Sequence, residues 1–581
     1  MAFAIMAEIV ARPSLATKHA KTQTCCLDEH SVPMATRLSS SSTVAVAIVA
    51  AISAGIVLGG LIRSPSTPEE SPGFDDGAQA ALSAWARGSI DHLVEPRTNW
   101  VKGSWYPFAN VSQAWVAIQA GRGSTTVRAA AGENAYRSLY TDRERRVSTR
   151  TLGEVSSTTK LLTAVCALKL WERGAFDLDE PLHNYLPELQ GVEWRIVRPV
   201  DDHPTFLSAS DEYTVDDPTV TTRLVRVRGG DSPPEPYRYY TEPSSIAPTA
   251  RHLLSNSAGI FTSSPYVGVK ALMQQLQEEA ARSYANASTA TLLLAACGIV
   301  AGSKVAWLAW KPGTVYGYSS YHAVPRLLEH AYEQAHGVPR RFDEVLSEVV
   351  LEPFGMDDTL FFEADAERRE AMDRRFVPQV VVDDSTPKGW ALDSRVLQGV
   401  PPSRAAVAAR SEYAQLFAGK PVDFVSAAGG LISCVEDVAR VLRTLAHLGR
   451  APGAPRFLRT STVRLMVTAQ APAYDRVESR TVAPAVAPLF RSDTAWGLGF
   501  AVSTRPFSTH PAFVGDSEAF PYLEDLPASV AFWQGNAGMF WGLSLEDQLY
   551  MVSHSTAFVP IYLRDEILRA QPLAILYDHM T

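Results

Sequence analysis

Apolar residues recur at helical spacing in the stretch LLTAVCALKLWERG. Leu161, Val165 and Leu168 recur at i, i+4 and i+7 and share one face, whereas Lys169 and Glu172 fall on the other face. Gly174 follows directly, and glycine readily adopts the left-handed conformation that ends many helices. The pattern therefore predicts one amphipathic helix with a glycine C-cap.

Residues 114–132 show a different pattern, in which two apolar runs flank Gly121-Arg122-Gly123. Glycine permits the positive φ of a tight turn, so we expect two antiparallel strands here. The segment 190–248 is polar, dotted with proline and poor in periodicity, which favours a long insertion or loop over a core, at the border of a cleft. Periodicity alone thus predicts a mixed α and β domain.

The segment from Thr43 to Ile62 carries no charged residue. Twenty residues at helical rise span a hydrocarbon core of roughly 30 Å. Lysine and arginine precede this segment and acidic residues follow it, which favours a cytosolic N-terminus. A signal-peptide core, a buried helix and a mitochondrial inner-membrane anchor are alternatives, because alanine and glycine make the segment only moderately hydrophobic.

We accordingly expect a single-pass membrane protein with a translocated catalytic domain. The expected order is a cytosolic tail over 1–42, a transmembrane signal anchor over 43–62, a stalk rich in proline, serine and acid over 63–77, and a folded domain over 78–581. Translocation would place that domain in a lumenal or extracellular compartment, or in the mitochondrial intermembrane space.

The charge and motif content exclude several function classes. The formal net charge is −9, and no basic run is interleaved with aromatic residues, so nucleic acid is not an expected partner. The five cysteines lack the spacing of a zinc site or a disulfide framework. The sequence has no P-loop, no H-E-x-x-H and no G-x-S-x-G, and it implies neither a cofactor nor a metal.

The candidate chemistry begins at Ser157-Thr-Thr-Lys160, where the predicted helix starts. A spacing of three residues puts the serine hydroxyl and the lysine amine on one helix face, and a serine nucleophile needs a base within reach. The motif alone is weak, because a surface helix start gives the same residues. We expect His252 and Cys166 to be structural residues of the core.

Several further segments follow in a characteristic order. They are Arg251-His-Leu-Leu-Ser-Asn-Ser-Ala-Gly259, Pro312-Gly-Thr-Val-Tyr-Gly-Tyr318-Ser-Ser320, Glu352-Pro-Phe-Gly-Met356, Ser426-Ala-Ala-Gly-Gly-Leu-Ile-Ser433 with Asp437, and Trp496-Gly-Leu-Gly-Phe500. Together with the S-x-x-K motif, they resemble the serine β-lactamase-related and penicillin-binding-protein-like family, in its esterase-like and transacylase-like branch. The resemblance runs from about Ala114 to the end of the chain.

The resemblance implies roles for residues far from the first motif. Tyr318 would be the second proton carrier, and Ser320 replaces the asparagine of the family's second motif, Y-x-N. The third motif, K-T-G or H-x-G, has its place filled by Trp533-Gln-Gly535, and the N–H of Asn536 would complete the oxyanion hole with that of Ser157. Without the lysine or histidine, antibiotic hydrolysis is not expected.

The implied fold is of the α+β class. It is a β-lactamase-like three-layer sandwich, in which helices flank an antiparallel sheet built from both ends of the chain, with an inserted all-helical lobe and further insertions over roughly 188–420. The implied activity is that of a membrane-anchored serine hydrolase that acts on small ester or peptide-like substrates through an acyl-enzyme. A transacylase, or an inactive scaffold that assembles into oligomers or filaments, is the alternative.

Overall fold

A seven-stranded antiparallel sheet is formed by both ends of the folded domain, with its strands in the order 494–496, 501–503, 530–534, 539–544, 549–555, 115–122 and 125–132. The computed structural model describes residues 73–94, 115–132, 146–200, 220–225, 235–260, 267–285, 288–314, 316–318, 320–377, 382–383, 391–392, 425–470, 494–503, 530–535, 538–555 and 571–581. Its strands are β1 Trp115–Arg122, β2 Thr125–Gly132, β3 Gly153–Glu154, β4 Glu193–Pro199, β5 Thr221–Val225, β6 Glu235–Pro243, β7 Val305–Leu308, β8 Val382–Asp383, β9 Ala391–Leu392, β10 Ile432–Ser433, β11 Thr494–Trp496, β12 Ala501–Ser503, β13 Val530–Gln534, β14 Met539–Ser544 and β15 Leu549–Ser555.

In the sequence, most of the described α-helices lie between β2 and β11. The α-helices are α1 Ala78–Val94, α2 Thr159–Glu172, α3 Ala250–Leu254, α4 Val267–Ser283, α5 Thr289–Ala296, α6 Val324–His336, α7 Phe342–Leu346, α8 Glu352–Phe354, α9 Ala366–Arg375, α10 Val435–Ala446, α11 Thr460–Met466 and α12 Gln571–Asp578. A π-helical turn over Ser347–Leu351 joins α7 to α8. Short 3-10 turns precede α2 and α6, at Ser156–Thr158 and Ser320–Ala323.

The sheet is covered on both faces. All residues of β1 from Trp115 to Gly121 are buried, and successive side chains of a strand point to opposite faces. Helices α1 and α12 pack together at the β1–β2 end of the sheet, and α10 packs on β1, β14 and β15. The predicted α+β class and the sheet built from both chain ends are confirmed.

The predicted hairpin and helix are both present. Strands β1 and β2 pair in register from Trp115 opposite Gly132 to Arg122 opposite Thr125, with Gly123 at a φ of 55° in the turn. Helix α2 ends before Gly174, whose φ is 78°. The helix differs from the amphipathic expectation, because all its residues from Thr159 to Leu168 are buried.

The inserted region contains a second sheet as well as helices. Its strand order is β5-β6-β4-β7, with β4 and β7 parallel and the other pairs antiparallel. Tyr237 and Tyr239 stack on one face of β6, and a separate small core includes Tyr239, Leu272 and Trp310. The lobe therefore differs from the all-helical expectation, because parts of the polar segment 190–248 form strands, which bury Trp194, Ile196 and Tyr239.

No helix among the described residues combines the length and the apolar composition needed to cross a membrane. The longest of these helices, α1 and α4, have 17 residues each, whereas a span needs about 20 apolar ones. This finding contradicts the predicted single-pass membrane protein with a translocated domain, and that prediction is wrong. Residues 1–42 and the predicted anchor Thr43–Ile62 themselves lie outside the described residues.

The end of the predicted stalk 63–77 packs onto the folded domain. Phe74 is buried and forms a β-bridge with Met580. The Asp75 carboxylate accepts a hydrogen bond from the N–H of Ala78 at 3.2 Å, at the start of α1. These last stalk residues therefore differ from the extended, solvated segment that was expected.

A buried carboxyl at the start of α10 ties this helix to the loop before α9. Asp437 Oδ2 accepts hydrogen bonds from the Asp358 N–H at 3.0 Å and the Thr359 hydroxyl at 2.9 Å. Burial raises the pKa of Asp437 to about 6, although the Thr359 hydroxyl and the Arg440 charge lower it. The cost of ionising this carboxyl makes fold stability depend on pH.

We predict that Asp437→Asn flattens this pH dependence. Because the pKa of Asp437 rises from 3.8 to about 6 on folding, the carboxyl favours the fold while it is protonated. That contribution is complete below about pH 4 and is lost as the pH rises through 6, by on the order of 2–3 kcal/mol. Urea denaturation at pH 4.5 and 7.5 should show the native protein losing stability relative to the variant, and equal changes in both proteins would contradict the prediction.

Candidate active site

Ser157 lies in the 3-10 turn that opens α2, where three distant parts of the chain meet. Ser156 precedes it with a φ of 44°, a left-handed conformation that few residues other than glycine adopt. The residue before the turn is anchored to another segment, because the Val155 N–H donates to the Leu431 carbonyl at 3.0 Å. The first N–H groups of a helix have no intrahelical acceptor, so this turn is suited to bind a developing negative charge.

The Ser157 hydroxyl contacts both predicted proton carriers. Lys160 Nζ lies 3.3 Å from Ser157 Oγ, and the Tyr318 hydroxyl donates to the same oxygen at 2.6 Å. The spacing of three residues brings the lysine to the serine, as the sequence predicts. Tyr318 comes from a segment 161 residues further on. The structure therefore brings the three predicted catalytic residues together within hydrogen-bond reach.

The Lys160 side chain is only 2% exposed, and polar and aromatic groups surround its amine. Lys160 Nζ donates to the Ala428 carbonyl at 2.7 Å. It also lies 4.5 Å from the centre of the Tyr318 ring and 5.6 Å from that of Tyr321, distances at which a cation is attracted to an aromatic face. The amine is thus held beside the serine by groups from two other segments.

Two tryptophans hold the Tyr318 ring in place. Trp533 packs against it with 5.4 Å between ring centres, and Trp496 meets it edge-on at 6.0 Å. The two indoles also contact each other at 4.5 Å, and both are almost completely buried. Trp533 therefore supports the phenol by ring packing.

One carbonyl joins the elements that carry these aromatic rings. Leu254 O, at the end of α3, accepts hydrogen bonds from the Tyr321 hydroxyl, the Trp496 indole and the Gly499 N–H, each at 3.1 Å. Gly499 lies so close to α2 that an added Cβ would be 2.5 Å from the Ala164 Cβ. The segment Trp496–Phe500 is thus a tight connection between β11 and β12.

Gly535 closes the site at the end of β13. An added Cβ would lie 2.0 Å from the Val155 carbonyl oxygen, so only glycine allows the strand to approach the nucleophile turn this closely. The Gly535 N–H donates to the Met539 carbonyl at 2.7 Å and anchors the hairpin to β14. Asn536, the predicted second oxyanion donor, lies outside the described residues. Ser320 begins the 3-10 turn before α6, and the structure does not describe its side chain.

Other polar residues near these segments are structural. His252 Nδ1 accepts from the Thr249 N–H at 3.2 Å and caps α3, and burial lowers the pKa of this imidazole. Cys166 is fully buried, and burial raises the pKa of its thiol. Burial also lowers the pKa of His322 to about 3, assisted by the charge of Lys160, so this residue stays neutral.

Sequence reasoning missed the groups that support the three central residues. Tyr321 and the Ala428 carbonyl contact Lys160, but neither belongs to the motif residues considered for catalysis. The two alanines of Ser426-Ala-Ala-Gly-Gly carry no functional side chain, so only the backbone fold shows their role. For Tyr321, its place three residues after Tyr318, on the following helical turn, was the available signal.

Comparisons with known proteins show the family and the fold of the chain. The β-lactamase family model matches residues 116–574. The fold is similar to that of unliganded simvastatin synthase (LovD) from Aspergillus terreus, a selenomethionyl derivative, with a TM-score of 0.54, 17% identity, and coverage of 86% of this chain and 98% of that one. The LovD9 mutant of simvastatin synthase from Aspergillus terreus is similar with a TM-score of 0.53 and 15% identity, and the match covers 86% of this chain and 99% of that one.

No sequence among the curated proteins matches the chain. The structural likeness, at such low identity, shows the fold alone. The family match covers most of the chain and includes Ser157, Lys160, Tyr318 and the strand that ends at Gln534. The chain therefore belongs to the β-lactamase family.

Proposed function

We propose that this protein is a serine hydrolase that forms an acyl-enzyme at Ser157 on small ester or amide substrates. The observation that carries the proposal is the contact of one hydroxyl with both an amine and a phenol, at 3.3 and 2.6 Å. Either group, as the free amine or the phenolate, can accept the serine proton as the hydroxyl attacks, while the other donates a hydrogen bond. Membership of the β-lactamase family supports the same reaction type.

The reaction proceeds in two steps. Ser157 Oγ attacks the substrate carbonyl, and Lys160 and Tyr318 carry the serine proton to the leaving oxygen or nitrogen. The oxyanion is bound by the backbone N–H groups of Ser157 and of Asn536, the second residue after β13. In the second step, water or an alcohol attacks the acyl-enzyme, gives its proton back through the same two groups, and regenerates the serine.

Hydrolysis of penicillin-type antibiotics is not part of the proposal. Trp533 occupies the head of the third motif, is 2% exposed, and packs against Tyr318. It offers no positive charge to a substrate carboxylate. Uncharged esters or amides do not need such a charge, so they are the better match to this site.

We predict that a fluorophosphonate probe labels the protein at Ser157 and that Ser157→Ala abolishes labelling. Lys160→Ala and Tyr318→Phe should lower kcat/KM for a p-nitrophenyl ester by about 10²–10⁴-fold, since each removes a proton carrier. Mass spectrometry of the labelled peptide and steady-state kinetics measure these effects. Product analysis with and without an added alcohol distinguishes hydrolysis from acyl transfer.

Lys169→Ala is the matched control for Lys160→Ala. Lys169 lies on the same helix, but its amine donates to the Phe457 carbonyl, away from the serine. Its removal should change kcat/KM by no more than about twofold, as is usual for groups that do not act in the transition state. A folded native protein that resists the probe, or one labelled equally after Ser157→Ala, would rule out the proposed function and favour a scaffold.

A second prediction concerns the contact between β13 and the nucleophile turn. Gly535→Ala should lower kcat/KM by about 10²-fold or more, because its Cβ would displace the backbone by which the oxyanion is bound. Gly88→Ala is the control, since an added Cβ there meets nothing within 4 Å and Gly88 lies inside α1. The control should keep full activity and gain up to about 1 kcal/mol of stability. Equal activities of the two variants would show that the close approach of β13 is not needed.

A further inference from the structure

Helix α2 holds two consecutive carbonyls of the segment before β10. Lys160 Nζ donates to Ala428 O at 2.7 Å, and the Thr163 hydroxyl donates to Ala427 O at 3.0 Å. Lys160 and Thr163 are three residues apart and therefore share a helix face. Thr163 is completely buried. A buried hydroxyl that makes no hydrogen bond lowers the stability of the fold.

The peptide unit between Ala427 and Ala428 is fixed at both of its polar groups. Its carbonyl accepts from Thr163, and its N–H donates to Ser426 Oγ at 3.2 Å. Two hydrogen bonds on opposite edges set the rotation of this peptide plane. The direction of the next carbonyl, that of Ala428, is then limited to what the φ and ψ of this alanine allow.

The carbonyl that receives the lysine would otherwise be poorly constrained. Ala428 is followed by Gly429 and Gly430, and Gly430 has a φ of 107°. Glycine gives the backbone the widest choice of conformations, so the peptide on its N-terminal side is not held by the glycines themselves. Among the described residues, the segment is next anchored at Leu431, whose carbonyl accepts the Val155 N–H, and in β10.

We propose that Thr163 is a positioning residue for Lys160. Its hydroxyl fixes the Ala427–Ala428 peptide, the Ala428 carbonyl then faces the amine, and the amine is held 3.3 Å from Ser157 Oγ. Thr163 itself does not contact the reacting atoms. The role rests on the proposed function, in which Lys160 moves the serine proton.

Three variants test this role. Thr163→Val keeps the shape of the side chain but removes the hydroxyl, and Thr163→Ser restores a hydroxyl. Thr159→Val is the control, because Thr159 lies on the same helix, is equally buried, and has a hydroxyl with no hydrogen-bond partner among the described residues. Each variant is assayed for kcat and KM with a p-nitrophenyl ester, for the rate of fluorophosphonate labelling, and for its melting temperature.

Thr163→Val should lower kcat and the labelling rate by about tenfold or more, with KM within about twofold, because misplacing a catalytic group slows the chemical step more than it weakens binding. Thr163→Ser should retain at least about a third of the native kcat, and Thr159→Val should match the native protein. If Thr163→Val does not fold, the pair Thr163→Ser and Thr163→Cys makes the same comparison, since a thiol is the weaker donor.

The outcomes separate this inference from the proposed function. Native labelling at Ser157 together with unchanged kcat and labelling in folded Thr163→Val would overturn the role of Thr163 alone. A proportionate loss in Thr159→Val would overturn it as well, because the effect would then belong to any change in this helix. A native protein that is not labelled at Ser157 would contradict the proposed function first, and the positioning role with it.

Discussion

A lysine that is removed from water must find partners for its amine, and this requirement organises the centre of the domain. The Lys160 amine is held by a hydroxyl, a carbonyl and two aromatic rings. Leaving such a group without partners would cost several kcal/mol. Helix α2, the turn before α6 and the segment before β10 have to meet around it, so the position of one side chain links three distant parts of the chain.

The local features of this arrangement could be predicted from the sequence. The distance between Ser157 and Lys160 follows from helical spacing, and the β1–β2 hairpin follows from glycine at its turn. The sheet built from both chain ends and the place of Tyr318 came from the order of motifs that resembles a known family. Periodicity carries no information about such distant pairings, so the residues alone predicted only a mixed domain.

The supporting contacts could not be predicted, because they depend on backbone groups and on rings brought together by the fold. Ala428 and Leu254 act through their carbonyls, for which any residue type serves equally. The strands of the inserted lobe escaped notice because prolines and charges obscure their alternation. The membrane prediction rested on the absence of charge from Thr43 to Ile62, which lie outside the described residues, whereas no described helix is long and apolar enough to cross a membrane.

The strand order of the main sheet has a consequence for how the protein is made. Strand β1 pairs with β15, and Gln119 contacts Tyr550 across a separation of 431 residues. During synthesis on the ribosome, the first hairpin therefore emerges long before its neighbour exists, and its free edge can pair with other nascent chains. Slow translation prolongs the time for which this edge stays unpaired, and the pairing is completed only after β15 has been synthesised.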